Sequence, residues 1–243
     1  MVAMDDATHT VRWQIGAGEG QPLQGRSVAT LATAPGVGGA PDAGLACLDE
    51  GSGARLFTFG LADGQPLWTS VLMSSYCVGT MAGDFGGGSN LLVAVLGSTL
   101  RAYDASTHLL VWSLPEQTTG ATLLDGVGGR EFVVFSGSQL TFYDASTRTV
   151  LRQFDLGEPV LAVQELGGIH DLVVAAGGHL LLVDGADGQV RATSDYLGSD
   201  FGAGNQLATQ SVNGQWFVGA VSSAGAFRFL VGFDELFENG FDG

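Results

Sequence analysis

The sequence predicts an all-β chain, a β-propeller of four-stranded blades, and three observations carry that reading. A turn of nearly constant composition recurs along the chain, with a short apolar strand at a fixed distance before it. No long segment keeps apolar residues at i, i+3, i+4 and i+7, so helical periodicity is nearly absent. Glycine is 39 of 243 residues, well above the usual ~7%. It is interspersed with apolar runs and has no three-residue period, as turn punctuation does.

Aligned on the turn, the segments start at Asp5 (MDDATHTVRW), Gly60 (GLADGQPLW), Asp104 (DASTHLLVW), Asp144 (DASTRTVLR) and Asp184 (DGADGQVRA). The spacings are 55, 44, 40 and 40 residues. Trp13, Trp68 and Trp112 stand eight residues after the first three starts; Arg152 and Ala192 hold that place in the last two. Asp5, Asp104, Asp144 and Asp184 read as turn formers, because an Asp side chain can bond the backbone two residues on. Gly64 and Gly188 suit the left-handed position that follows. The three tryptophans recur at repeat spacing and read as blade packing.

Ahead of the last three turns lie LVAV from Leu92, FVVF from Phe132 and LVVA from Leu172, each followed by a Gly/Ser turn. Each is preceded by another strand: VGTMAGDF, GATLLDGV and VLAVQELG. SVATLATA (27–34) and NQLATQSV (205–212) are further first strands. A unit is thus four strands in about 40 residues, the period of a propeller blade. One such sheet has two apolar faces and buries both only between neighbours, which accounts for unbroken apolar runs such as LLVAVL. The repeats span residues 1–233, and 234–243 read as an acidic tail. The chain opens on the third and fourth strands of a blade and ends on what look like the first three. Staggered closure into five blades and an open arc cut from a larger propeller are both open, with the unequal first spacing favouring the arc. Thr80, Ala82 and Gly120, on presumed innermost strands, are candidates to line a central channel.

The formal charge is −16, and all nine basic residues are Arg. Without Lys, Schiff-base and Lys-nucleophile chemistry are excluded. Excess carboxylate repels phosphate backbones and anionic lipid, so neither nucleic acid nor a membrane surface is an expected partner. No apolar run approaches the ~18 residues of a spanning helix, and the N-terminal residues lack the pattern of a signal peptide. The two cysteines, Cys47 and Cys77, read as buried thiols, with a bridge between them as the alternative. His9 and His108 share a turn position with Arg148 and Gly188, which reads as exposed turn surface. His170 and His179 read as strand-end residues, and no set of three or four converging zinc ligands emerges. GAGEG at 16–20 precedes no helix and reads as a loop. Scattered carboxylates nominate no general acid/base pair. No catalytic, cofactor-binding or metal residue is named.

YDASTHLLVW and MDDATHTVRW resemble the YALDAATGKVLW element of quinoprotein-like (PQQ-like) repeats, over nearly the whole chain. GDFGGGSNLLVAV is similar to the DxDGDG…LVV element of integrin-type (FG-GAP/VCBS) blades. The first resemblance implies a propeller and leaves function open, because such blades serve dehydrogenases, scaffolds and adhesion modules alike. The second implies calcium loops, but Asp84 lacks the alternating carboxylates they need, and the next unit offers Asp125 alone. Quinone enzymes of the first family use an adjacent cysteine pair and central calcium ligands, which this sequence lacks. FDELFENGFDG faintly resembles the ends of some exported gammaproteobacterial proteins. The expected function is a non-catalytic binding or scaffold module of an exported, secreted or periplasmic protein, with a protein or glycan partner and no cofactor. The alternative is a degenerate quinoprotein-type dehydrogenase domain.

Overall fold

A computed structural model describes residues 1–5, 8–34, 42–86, 88, 90–124, 130–166, 171–199, 207–212, 215–222 and 225–231. Asp125, His170 and the 234–243 tail lie outside them. The chain forms two compact units, Met1–Thr118 and Thr119–Gly243.

In the first unit, β1 (Val2–Met4) and β2 (Val11–Gln14) form a two-stranded sheet. Two four-stranded antiparallel sheets follow, each in sequence order: β3 (Ser27–Ala34), β4 (Ala43–Asp49), β5 (Ala54–Gly60) and β6 (Pro66–Thr69), then β7 (Cys77–Asp84), β8 (Asn90–Leu96), β9 (Thr99–Asp104) and β10 (Leu110–Leu114). The second unit holds two more: β11 (Gly120–Leu124), β12 (Glu131–Ser136), β13 (Gln139–Asp144) and β14 (Val150–Asp155), then β15 (Val160–Glu165), β16 (Asp171–Ala176), β17 (His179–Asp184) and β18 (Val190–Thr193). It closes with a three-stranded sheet of β19 (Leu207–Val212), β20 (Gln215–Ser222) and β21 (Gly225–Val231). The repeat read from the sequence is therefore the sheet, strand for strand.

The period-two alternation of a strand explains the apolar runs. On β4, Leu45 and Cys47 enter one core cluster and Ala46 and Leu48 the other. On β16, Leu172, Val174 and Ala176 face one cluster, and Val173 and Ala175 the next. Both faces of a second strand are buried, so both sets must be apolar. The fourth strands differ: β6, β10, β14 and β18 are largely exposed. Each of the four also shifts register against its neighbour, and such an irregularity re-aims the side chains beyond it.

Cys47 and Cys77 are not two thiols but a disulfide. It joins β4 to the start of β7, with Cα atoms 6.3 Å apart, inside the range a bridge spans. A separation of 30 residues says nothing by itself about which sheets face each other, so the sequence left the pairing undecided.

Candidate functional site

The repeated turn is the best-defined polar constellation. Its backbone is the same in all five copies. The amide of the fifth residue donates to the carbonyl of the first: His9 to Asp5, Gly64 to Gly60, His108 to Asp104, Arg148 to Asp144 and Gly188 to Asp184, at 2.7–2.8 Å. The fifth residue is left-handed each time, with φ of 54°, 71°, 58°, 61° and 76° in that order. Glycine is at home there, while His and Arg take on the cost of the region.

The Asp side chains are turn formers. Asp104 Oδ1 accepts from Ser106 N at 3.0 Å, Ser106 Oγ at 2.6 Å, Thr107 N at 2.7 Å and Thr107 Oγ1 at 3.0 Å. Asp144 repeats this set with Ser146 and Thr147. Asp5 accepts from the amide and hydroxyl of Thr8, and Asp184 from the Ala186 amide. The hydroxyl of Ser106 first, then the Thr107 amide, holds the Asp104 carboxyl down to about 2; Ser146 and Thr147 do the same for Asp144. A carboxylate so held is a poor proton acceptor at neutral pH, which suits a structural role better than acid/base work.

The tryptophans do more than fill space. Trp13 Nε1 donates to the Leu61 carbonyl of the next sheet's turn at 2.8 Å, and its ring lies where a Cβ on Gly64 would be, 2.7 Å from Cε3. Trp68 stacks on His108 of the following turn, with centroids 4.5 Å apart and planes 5° apart. His108 is therefore partly buried rather than open turn surface, while His9 is exposed; burial lowers the His108 pKa, against the pull of Asp104. Trp112 meets Phe85 edge-on at 6.0 Å.

In the second unit Arg152 takes over the tryptophan's task. Its Nε donates to the Gly185 carbonyl at 2.5 Å, the turn position equivalent to Leu61. Its guanidinium grips both oxygens of Glu131, at 3.0 and 2.5 Å, and lies 4.2 Å above the Phe142 ring. Phe154 covers Gly188 as Trp13 covers Gly64. Arg191 pairs with Asp171 at 2.8 Å and with Asp184. Sequence reading missed this exchange, although its signal is present. The residue paired with the turn's first residue is Ala43 or Leu91 where Trp follows, but Glu131 or Asp171 where Arg follows.

Thr80 and Ala82 lie on β7 and Gly120 on β11, each the first strand of its sheet. Thr80 and Gly120 are buried, and a Cβ on Gly120 would meet the Phe135 ring at 2.2 Å. Asp84 accepts from the Gly86 amide at 2.8 Å, closing its own turn. His179 Nδ1 lies 2.9 Å from the Ser194 carbonyl. Among the described residues no three His, Cys, Asp or Glu are grouped to hold a metal. The cysteines that a quinone site would need side by side instead bridge two strands inside an apolar cluster.

The family model described as outer membrane protein assembly factor BamB, of the PQQ_2 repeats, matches residues 41–227. BamB from Moraxella catarrhalis is similar in structure, with 14% identity and a TM-score of 0.55 over 91% of this chain and 62% of that one. The β-propeller domain of Cps50 (Swd1) from Myceliophteria thermophila is 10% identical, with a TM-score of 0.58 over 82% of this chain and 64% of that one. BBS1N, solved in complex with ARL6DN, is 12% identical, with a TM-score of 0.62 over 88% of this chain and 65% of that one. These likenesses establish a β-propeller fold. The chain spans less than two thirds of the length of each of these structures. No curated protein matches it.

Proposed function

The chain belongs to the family of outer membrane protein assembly factor BamB, and from that premise we propose that it is a non-catalytic, protein-binding propeller module of the cell envelope. One observation supports the reading above others. The repeated Asp, Trp and Arg side chains are engaged by their own turns and by the next sheet, while large apolar side chains face solvent outside the repeat's core. Val71 is 77% exposed and Leu109 69%. Leu72, Tyr76, Leu110 and Val111 accompany them on the 70–76 connection and β10. Contiguous exposed apolar surface is where protein partners bind. The disulfide fits an oxidising compartment such as the periplasm, and the net charge of −16 disfavours nucleic acid.

The test is a photo-crosslinking residue at Val71, Tyr76 or Leu110 of the full-length protein in its own cells. The expected result is a discrete adduct with an outer-membrane assembly component at one of these positions and none at exposed Ser106. Turnover of an alcohol by the purified protein supplied with quinone and calcium would overturn the reading. So would saturable glycan binding with no protein adduct.

A further inference from the structure

The two ends of the Cys47–Cys77 bridge are unlike. Cys47 lies in the middle of β4, 0% exposed, among Leu45, Leu56, Met73 and Leu92. Cys77 is half-buried and opens β7, directly after a connection whose Val71, Leu72 and Tyr76 are exposed. The β7–β8 ladder shifts register between Cys77 and Gly79, so Cys77 stands outside its regular part. An external disulfide must bring its sulfur within bonding distance of the attacking thiolate, and a thiolate is disfavoured in apolar surroundings. Both requirements favour the same cysteine.

We propose that the bridge closes in the folded first unit by exchange with an external dithiol oxidant, entering through Cys77, with Cys47 as the resolving thiol. In the first step the Cys77 thiolate attacks one sulfur of the oxidant's disulfide. A mixed disulfide forms and one oxidant thiolate leaves. In the second step Cys47 loses its proton to solvent and attacks the Cys77 sulfur. The protein disulfide forms and the second oxidant thiolate leaves. Two electrons pass from the cysteine pair to the oxidant, which is released as a dithiol. Reduction runs the same path backwards, with the reductant attacking the Cys77 sulfur. The chain is thus a substrate for thiol–disulfide exchange at one defined sulfur.

The probe is oxidised glutathione, applied to the full chain. The variants Cys47→Ala and Cys77→Ala each leave one thiol, and circular dichroism checks their strands. The free Cys77 of C47A is expected to form the mixed disulfide at least about tenfold faster than the free Cys47 of C77A. In concentrated guanidinium the two rates are expected to converge. A second measurement uses the unmutated chain: reduced, reoxidised, quenched with acid and mapped by peptide mass, its trapped glutathione should sit on Cys77. Equal rates in the folded variants, or glutathione trapped mainly on Cys47, would overturn the proposal. Loss of the strands on reduction would overturn it too, since no folded entry step could then exist.

Discussion

Removing Arg152 tests whether an arginine has inherited the tryptophan's role between sheets. In Arg152→Ala the Gly185 carbonyl loses a charged donor at 2.5 Å, a bond worth about 1.5–3 kcal/mol. The contact with the Phe142 ring goes as well, at about 0.5–1 kcal/mol. Glu131, whose side chain is 15% exposed, keeps its charge without its bidentate partner; stranding it partly desolvated adds to the loss. The sum is about 3 kcal/mol, a large fraction of a domain's stability. The measurement is guanidinium unfolding followed by far-ultraviolet circular dichroism, with Arg152→Ala, Glu131→Gln and the double variant forming a cycle. A coupling of about 1–2 kcal/mol is expected between the two residues.

The sharper test restores the other form of the latch. Where Trp112 stands in place of Arg152, Leu91 stands in place of Glu131. Arg152→Trp with Glu131→Leu should therefore recover all but about 1 kcal/mol of what Arg152→Ala loses, because an indole N–H can reach the Gly185 carbonyl as Trp13 reaches Leu61. An Arg152→Ala loss under about 1 kcal/mol would refute the reasoning. So would a Trp/Leu pair as unstable as the alanine variant.

Reduction of Cys47–Cys77 opens a loop of 30 residues and should cost the first unit about 3.5 kcal/mol by chain entropy, read as a lower guanidinium midpoint by the fluorescence of Trp13, Trp68 and Trp112. Gly188→Ala places a Cβ 2.5 Å from the Phe154 ring at φ 76°, so calorimetry should show a larger loss than for Gly137→Ala, which meets nothing at φ 58° and should cost about 1–2 kcal/mol. Asp104 and Asp144 are held at about 2 in the fold, below the ~3.9 of an unfolded Asp. Their contribution to stability is therefore complete above about pH 4 and lost as pH falls through about 2; carbon-13 titration of the carboxyls checks both values.

The blade was legible because its causes are local. Two-sided burial demands apolar runs, and the turn demands Asp with a left-handed residue four positions on, so both leave marks at fixed spacing. The first strand at 27–34 could be read to its ends for that reason. The contacts between sheets were harder, because they join residues whose spacing varies: Trp13 to Leu61, Trp68 to His108, Cys47 to Cys77. His108 read as open surface because a position that accepts His, Arg and Gly looks unconstrained. The structure supplies the missing constraint: the common requirement is the left-handed backbone, and the side chain follows whatever the preceding sheet presents. The replacement of Trp by Arg looked like decay of the repeat until Glu131 and the Gly185 carbonyl gave it a partner on each side.

That exchange bears on where function can lie. A residue that repeats in every blade answers a demand made in every blade, and the Asp turns and the Trp or Arg latches meet demands of folding. Specific recognition needs what is not repeated. The 70–76 connection is such a segment: it bridges back to Ala54 through Met73, anchors Tyr76 Oη on the Gly51 carbonyl at 2.9 Å, and still leaves Val71 and Leu72 in solvent. An anchored loop holds its exposed side chains without the ordering cost that a slack one would incur on binding. Its partner surface should therefore be sensitive to Val71→Asp, which leaves the anchors intact, and indifferent to Asp144→Ala, which loosens a turn but touches no such loop.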